Sequence, residues 1–210
     1  MTAIAPVESR VFPGLPPFGR GQRIGLYGGS FNPAHDGHRH VSVAALRLLG
    51  LDAVWWLVTP ANPLKDGREL APIDERAQVA ARVAAHPRIA VSCAEQAFGT
   101  TYTADFIRIL RQRAPEAHFV FIMGSDNLAT FHRWERWREI AASLPLAVFN
   151  RPKSLAAPLS APAAQALASF RVDASDVPLL AELAPPAWAY LVAPRTAASS
   201  TALRGRARKS

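Results

Sequence analysis

The 210-residue chain holds one cysteine, Cys93, which excludes an internal disulfide and suits a reducing compartment. No apolar run approaches the ~20 residues of a membrane span, so a cytoplasmic protein with no membrane partner is expected. Pro6, Pro13, Pro16 and Pro17 crowd the first 20 residues, which lack the apolar core of a secretory signal. They read as a flexible leader (1–20) ahead of a domain over 21–210. Acidic residues are the scarcer charge: 16 Asp and Glu against 24 Lys and Arg leave a net +8. That sign favours anionic small molecules, while a basic run over 204–209 serves solubility. Charge alone would also admit nucleic acid, but no aromatic–basic motif supports it, and none is expected as a partner. No repeat is visible. Half the residues are hydrophobic, enough for the core of one α/β domain.

Short apolar runs alternate with helical patterns. Ile24–Tyr27 reads as a buried strand, and Val41, Ala44, Ala45, Leu48 and Leu49 follow at helical spacing. A second strand is expected over 53–59, then a helix capped by Asp74 with Ala77, Ala80, Val83 and Ala84 on one face. A third strand, Arg88–Cys93, precedes a helix capped by Thr103 and carrying Phe106, Ile107 and Leu110. Ala117–Met123 forms a fourth strand, a helical pattern runs to about Ala142, and Leu146–Phe149 forms a fifth. Residues 151–168 read as a loop with one weak helix, and 170–172 and 188–192 as short strands. The alternation predicts a Rossmann-like α/β fold: a parallel sheet flanked by helices, in a single domain with a small C-terminal helical part.

The first strand-to-helix turn carries the densest chemistry, Gly28-Gly29-Ser30-Phe31-Asn32-Pro33-Ala34-His35-Asp36-Gly37-His38. Glycines let the backbone approach a ligand closely, and N–H groups at a helix start attract phosphate. Asp36 reads as the helix N-cap. A zinc site on His35, His38 and His40 is the alternative, though no cysteine or carboxylate cluster supports it. This is neither a Gly-Lys-Ser/Thr phosphate loop nor a G-x-G-x-x-G turn. Near the other end, Ser199-Ser200-Thr201 opens a short helix with Arg204 on the same face, which is either a plain capped helix in a basic tail or a place where hydroxyls, N–H groups and a guanidinium converge on one phosphate.

Gly29, Phe31, Pro33, His35, Gly37 and His38 match the G-x-F-x-P-x-H-x-G-H signature, and the loop resembles that of the nucleotidyltransferase superfamily. Ala198–Arg204 resembles that superfamily's second signature, I-S-S-T-x-x-R/K, with Ala198 replacing the usual isoleucine. The middle of the chain is similar to the bacterial nicotinate-mononucleotide adenylyltransferases: a strand ending Gly124-Ser125-Asp126, then Trp134 and Trp137. Asn62-Pro63-Leu64-Lys65 and Tyr102-Thr103-Ala104-Asp105 also resemble segments of that family, with Leu64 where a histidine is often found.

The resemblance implies transfer of the adenylyl group of ATP, with Mg²⁺ accompanying the nucleotide, to nicotinate mononucleotide. It implies His35, His38 and Arg204 as catalytic residues. Gly28, Gly29, Ser30, Phe31, Gly124, Asp126, Ser200 and Thr201 would join them in binding ATP. Asn62, Lys65, Tyr102, Thr103 and Trp134 would bind the acceptor, and no protein metal site is implied. Trp134 offers a π-face to a pyridine ring and Lys65 a point charge, whereas Trp137 reads as core packing. Rival readings are an adenylyltransferase for nicotinamide mononucleotide or phosphopantetheine, and a non-catalytic nucleotide- or nucleic-acid-binding module. A homo-oligomer is compatible with all of them.

Overall fold

Val54, Trp56 and Val58 project to one face of their strand and Trp55 and Leu57 to the other, and none is more than 1% exposed. A strand buried on both faces belongs inside a parallel sheet covered by two layers of helices. A computed structural model describes residues 9–60, 70–150 and 159–192 and has that architecture. Among the described residues one parallel sheet contains β1 (Val11–Phe12), β2 (Arg23–Gly29), β3 (Ala53–Val58), β4 (Ile89–Ser92), β5 (His118–Gly124), β6 (Leu146–Asn150) and β7 (Trp188–Val192). The helices are α1 (Asp36–Leu48), α2 (Ile73–Ala84), α3 (Ala94–Ala97), α4 (Thr103–Arg113), α5 (Ser125–Thr130), α6 (Trp137–Ser143) and α7 (Pro162–Ala166). One core gathers Val41 and Ala45 of α1 and Ala77 and Ala80 of α2 against one face of the sheet. The other gathers Phe106 and Leu110 of α4, Ile140 of α6 and Ala163 of α7 against the opposite face. No described helix is long and apolar enough to cross a membrane.

The strand order is β1-β4-β3-β2-β5-β6-β7. From β2 the chain moves to β3 and β4 on one side, then crosses back to β5 on the other. The connections after β2 and β5 therefore diverge at their carboxyl ends, the place where open α/β sheets form ligand crevices. Because all strands run parallel, the residues after β2, β3, β4 and β5 collect along that same edge of the sheet.

Several local expectations change. The expected leader overlaps the sheet: Val11 and Phe12 pair with Val91 and Ser92 of β4. Pro72, not Asp74, is the N-cap of α2, and Asp74 lies in its first turn. Tyr102 occupies the N-cap of α4 without a side-chain bond, and Thr103 is its first residue. The expected long helix to Ala142 is broken: a 3₁₀ turn over Phe131–Arg133 follows α5, and Arg136, with φ of +50°, precedes α6. Phe170 closes another 3₁₀ turn, and Arg171 makes an isolated bridge to Trp188 instead of a strand. Cys93 lies just past β4, buried, and burial pushes its thiol pKa up, which keeps it unreactive. The expected C-terminal helix lies outside the described residues.

The glycine that packing demands is Gly25, in the middle of β2. A Cβ there would lie 2.5 Å from Cδ1 of Ile122 and 2.8 Å from Cδ1 of Leu51, both buried. Gly25→Ala is expected to destabilise the fold by about 1–3 kcal/mol through overpacking. An unshifted urea midpoint would contradict this.

Candidate active site

The turn between β2 and α1 is built from ring packing and backbone bonds. Phe31 takes the left-handed conformation (φ +44°), costly for a bulky residue. Its ring compensates by burial: it is 2% exposed and stacks on Trp56 at 4.9 Å with 13° between the planes. The phenyl ring is therefore committed to the core, and the turn shows its backbone to the crevice side. Trp56 Nε1 donates to Ser42 Oγ at 2.7 Å, and Ser42 Oγ donates to the His38 carbonyl at 2.9 Å. This chain pins the first turn of α1 to β3.

His35, not Asp36, is the N-cap of α1. Gly37 N–H donates to His35 Nδ1 at 3.1 Å, and His35 N–H donates to His38 Nδ1 at 3.2 Å, a reciprocal capping box. A backbone N–H only donates, so both Nδ1 atoms are acceptors and both rings are neutral, with the proton on Nε2. The two imidazoles lie 3.9 Å apart between centroids, and His38 also packs on Phe31 at 4.9 Å. Two Nε2–H donors side by side at a helix N-terminus suit an anion with several oxygens. Among the described residues no three His, Cys, Asp or Glu side chains cluster for a metal ion.

Comparison with known proteins places the chain in a family. The family model described as cytidylyltransferase-like matches residues 26–206. A probable nicotinate-nucleotide adenylyltransferase of Methylorubrum extorquens is 60% identical over 185 residues, covering 88% of this chain and all of that protein. The Brucella abortus protein of the same description is 51% identical over 181 residues, 86% of this chain and 93% of its own. The chain belongs to the nicotinate-nucleotide adenylyltransferase family. Its fold is also that of the Plasmodium falciparum nicotinic acid mononucleotide adenylyltransferase complexed with APC, at 18% identity and a TM-score of 0.61, covering 88% of this chain and 83% of that one. The same Plasmodium enzyme complexed with NaAD gives 0.59 at 17% identity.

Of the residues expected in the site, Gly28, Gly29 and Ser30 lie half-buried at the end of β2 and just beyond. Gly124 ends β5, and Asp126 is exposed in the first turn of α5, so both face the same crevice edge as the β2 turn. Tyr102 is 43% exposed at the start of α4, beside the half-buried Thr103. Trp134 is half-buried, edge-on to Phe121 at 6.2 Å and to Phe131 at 5.5 Å. Trp137 is core, as read from sequence, at 8% exposure. Asn62, Lys65, Ser200, Thr201 and Arg204 lie outside the described residues.

Two interactions were not anticipated. Arg136, between the two tryptophans, donates from Nη2 to Asp105 Oδ2 at 2.6 Å. That hydrogen bond holds the Asp105 carboxyl below its usual pKa and raises that of Arg136. It ties the Trp134 segment to the helix that begins at Thr103. Arg76 of α2 is 3% exposed, and its guanidinium is surrounded by backbone carbonyls of the β2 turn and of the segments flanking 61–69. A charged residue inside a helix reads from sequence as solvated surface, so nothing local marked it.

Proposed function

We propose that MgATP and nicotinate mononucleotide meet in the crevice between β2 and β5. There the chain transfers the adenylyl group to the acceptor, releasing nicotinate adenine dinucleotide (deamido-NAD) and pyrophosphate. The observation that carries this reading is the pair of neutral imidazoles, His35 and His38, whose Nδ1 atoms are held by backbone N–H groups. An oxygen of the acceptor's phosphate attacks the α-phosphorus of ATP. The bond from that phosphorus to the bridging oxygen breaks, and pyrophosphate leaves with the electron pair. The attacking oxygen is already anionic near neutral pH, so no general base is needed, and catalysis reduces to alignment and charge stabilisation.

The Nε2–H groups of His35 and His38 donate to phosphate oxygens as negative charge moves toward the leaving group. Backbone N–H groups over Gly28–Phe31 line the phosphates, and Asp126 accepts from ribose hydroxyls. Ser200, Thr201 and Arg204 hold the pyrophosphate. On the acceptor side, Trp134 stacks on the pyridine ring, Tyr102 and Thr103 meet its carboxylate, and Asn62 and Lys65 hold its phosphate. The magnesium ion arrives with ATP and neutralises phosphate charge.

The test is pyrophosphate release from MgATP with nicotinate mononucleotide, nicotinamide mononucleotide and phosphopantetheine compared by kcat/KM. A preference of at least tenfold for the first is expected. Equal or better turnover of nicotinamide mononucleotide would reassign the acceptor, and no release with any of them would overturn the activity.

A further inference from the structure

We infer that Arg76 is a positioning residue that sets the phosphate-binding face of the β2 turn and joins it to the acceptor side of the crevice; this rests on the reading above. Its Nη1 donates to the Ser30 carbonyl at 2.6 Å and to the Thr59 carbonyl at 2.9 Å. Nε donates to the Ala71 carbonyl at 2.8 Å and Nη2 to that of Pro60 at 3.3 Å. These acceptors come from separate stretches of chain: the β2 turn, the end of β3, and the approach to α2. One planar guanidinium spans all of them because its donors radiate in a fixed fork; an ammonium on a flexible stem does not reproduce that geometry.

The bond to Ser30 has a directional consequence. In a trans peptide unit the C=O and N–H point in opposite directions. With the Ser30 carbonyl drawn onto Arg76, the Phe31 N–H of the same unit points away from the guanidinium, out of the core. Because the Phe31 ring is stacked on Trp56, that N–H is what Phe31 offers a phosphate. Arg76 thereby also stabilises the left-handed backbone at Phe31. The bonds to Thr59, Pro60 and Ala71 hold both flanks of the stretch that carries Asn62 and Lys65 in the sequence. One side chain thus couples the ATP side to the acceptor side. A buried positive charge held by carbonyl dipoles also adds attraction for the triphosphate.

Arg76→Lys and Arg76→Gln in the full-length chain test this, with MgATP binding measured by calorimetry and steady-state kinetics in both substrates. Circular dichroism and urea midpoints define the conditions in which each variant is folded. Folded Arg76→Lys is expected to bind MgATP about tenfold more weakly, with KM for both substrates raised and kcat lowered. Arg76→Gln should lose more on every count. If the glutamine variant does not fold, the lysine variant decides. Wild-type MgATP affinity and kinetics in a folded variant, or a change in one substrate's KM alone, would overturn the inference. The calorimetric arm needs no acceptor, so it stands even if the wild type were to turn over none of the three acceptors, a result that would defeat the functional reading instead.

Discussion

Replacing His38 by alanine is expected to lower kcat by about 10²-fold or more, the magnitude seen when a donor to developing oxyanion charge is removed. Alanine removes more than a donor, however. The His38 ring also caps α1 by accepting the His35 N–H and packs on Phe31 and Tyr27. Loss of a cap costs about 1 kcal/mol of stability. His38→Asn separates these contributions, since the asparagine amide oxygen can take the place of Nδ1 at the cap while nothing takes the place of Nε2. Asparagine should therefore hold the unfolding midpoint closer to wild type than alanine does, yet turn over as poorly. Turnover within a factor of three of wild type in the folded asparagine variant would remove His38 from the reaction and leave it a cap.

The largest expected effect on stability belongs to Glu95. It lies in α3, 6% exposed, and burial pushes its carboxyl pKa up from 4.5 to about 8. Between pH 4.5 and 8 the folded protein retains this proton while the unfolded chain has released it. The unfolded state thus binds fewer protons, and stability falls as pH rises through that window, levelling off above it. At about 1.4 kcal/mol per pKa unit the upper bound on this loss is about 5 kcal/mol. Glu95→Gln retains the shape without the titration. Its stability relative to wild type should be near equal at pH 4.5 and rise to a plateau above pH 8, read from urea unfolding across that range. A difference that stays constant with pH would show that Glu95 does not titrate in a buried state. Because the Glu95 carbonyl accepts from both Thr100 N–H and Oγ1, it closes the turn that leads toward Tyr102 and Thr103. Raised pH should therefore loosen this part of the acceptor side early.

The β2–α1 turn could be read from sequence because its chemistry is local. Glycines, a proline and two histidines within a few residues of each other specify a strand-to-helix turn with anion-binding character. The error was similarly local: Asp36 is the commoner N-cap type, yet a histidine two residues before Gly37 supplied the acceptor. The central strands were legible because a strand buried on both faces is a continuous apolar run. β1 was not, since two residues in a proline-rich stretch become a strand only when β4 offers them an edge. The broken helix after β5 was missed because its apolar spacing continues across Arg136, which has a left-handed backbone and whose side chain pairs with a carboxylate from another helix.

By itself the sequence determined the alternation of strands and helices, the strand-to-helix turn with its two histidines, and the family. Periodicity, turn residues and short-range hydrogen bonding act over a few residues and are written along the chain. Only the tertiary structure decided which distant groups the charged side chains of Arg76 and Arg136 meet. The carbonyls around Arg76 lie 5, 16, 17 and 46 residues from it, and Asp105 lies 31 residues from Arg136. Backbone carbonyls carry no residue-specific signal. Their convergence on one guanidinium arises only when parallel strands bring their carboxyl ends to a common edge.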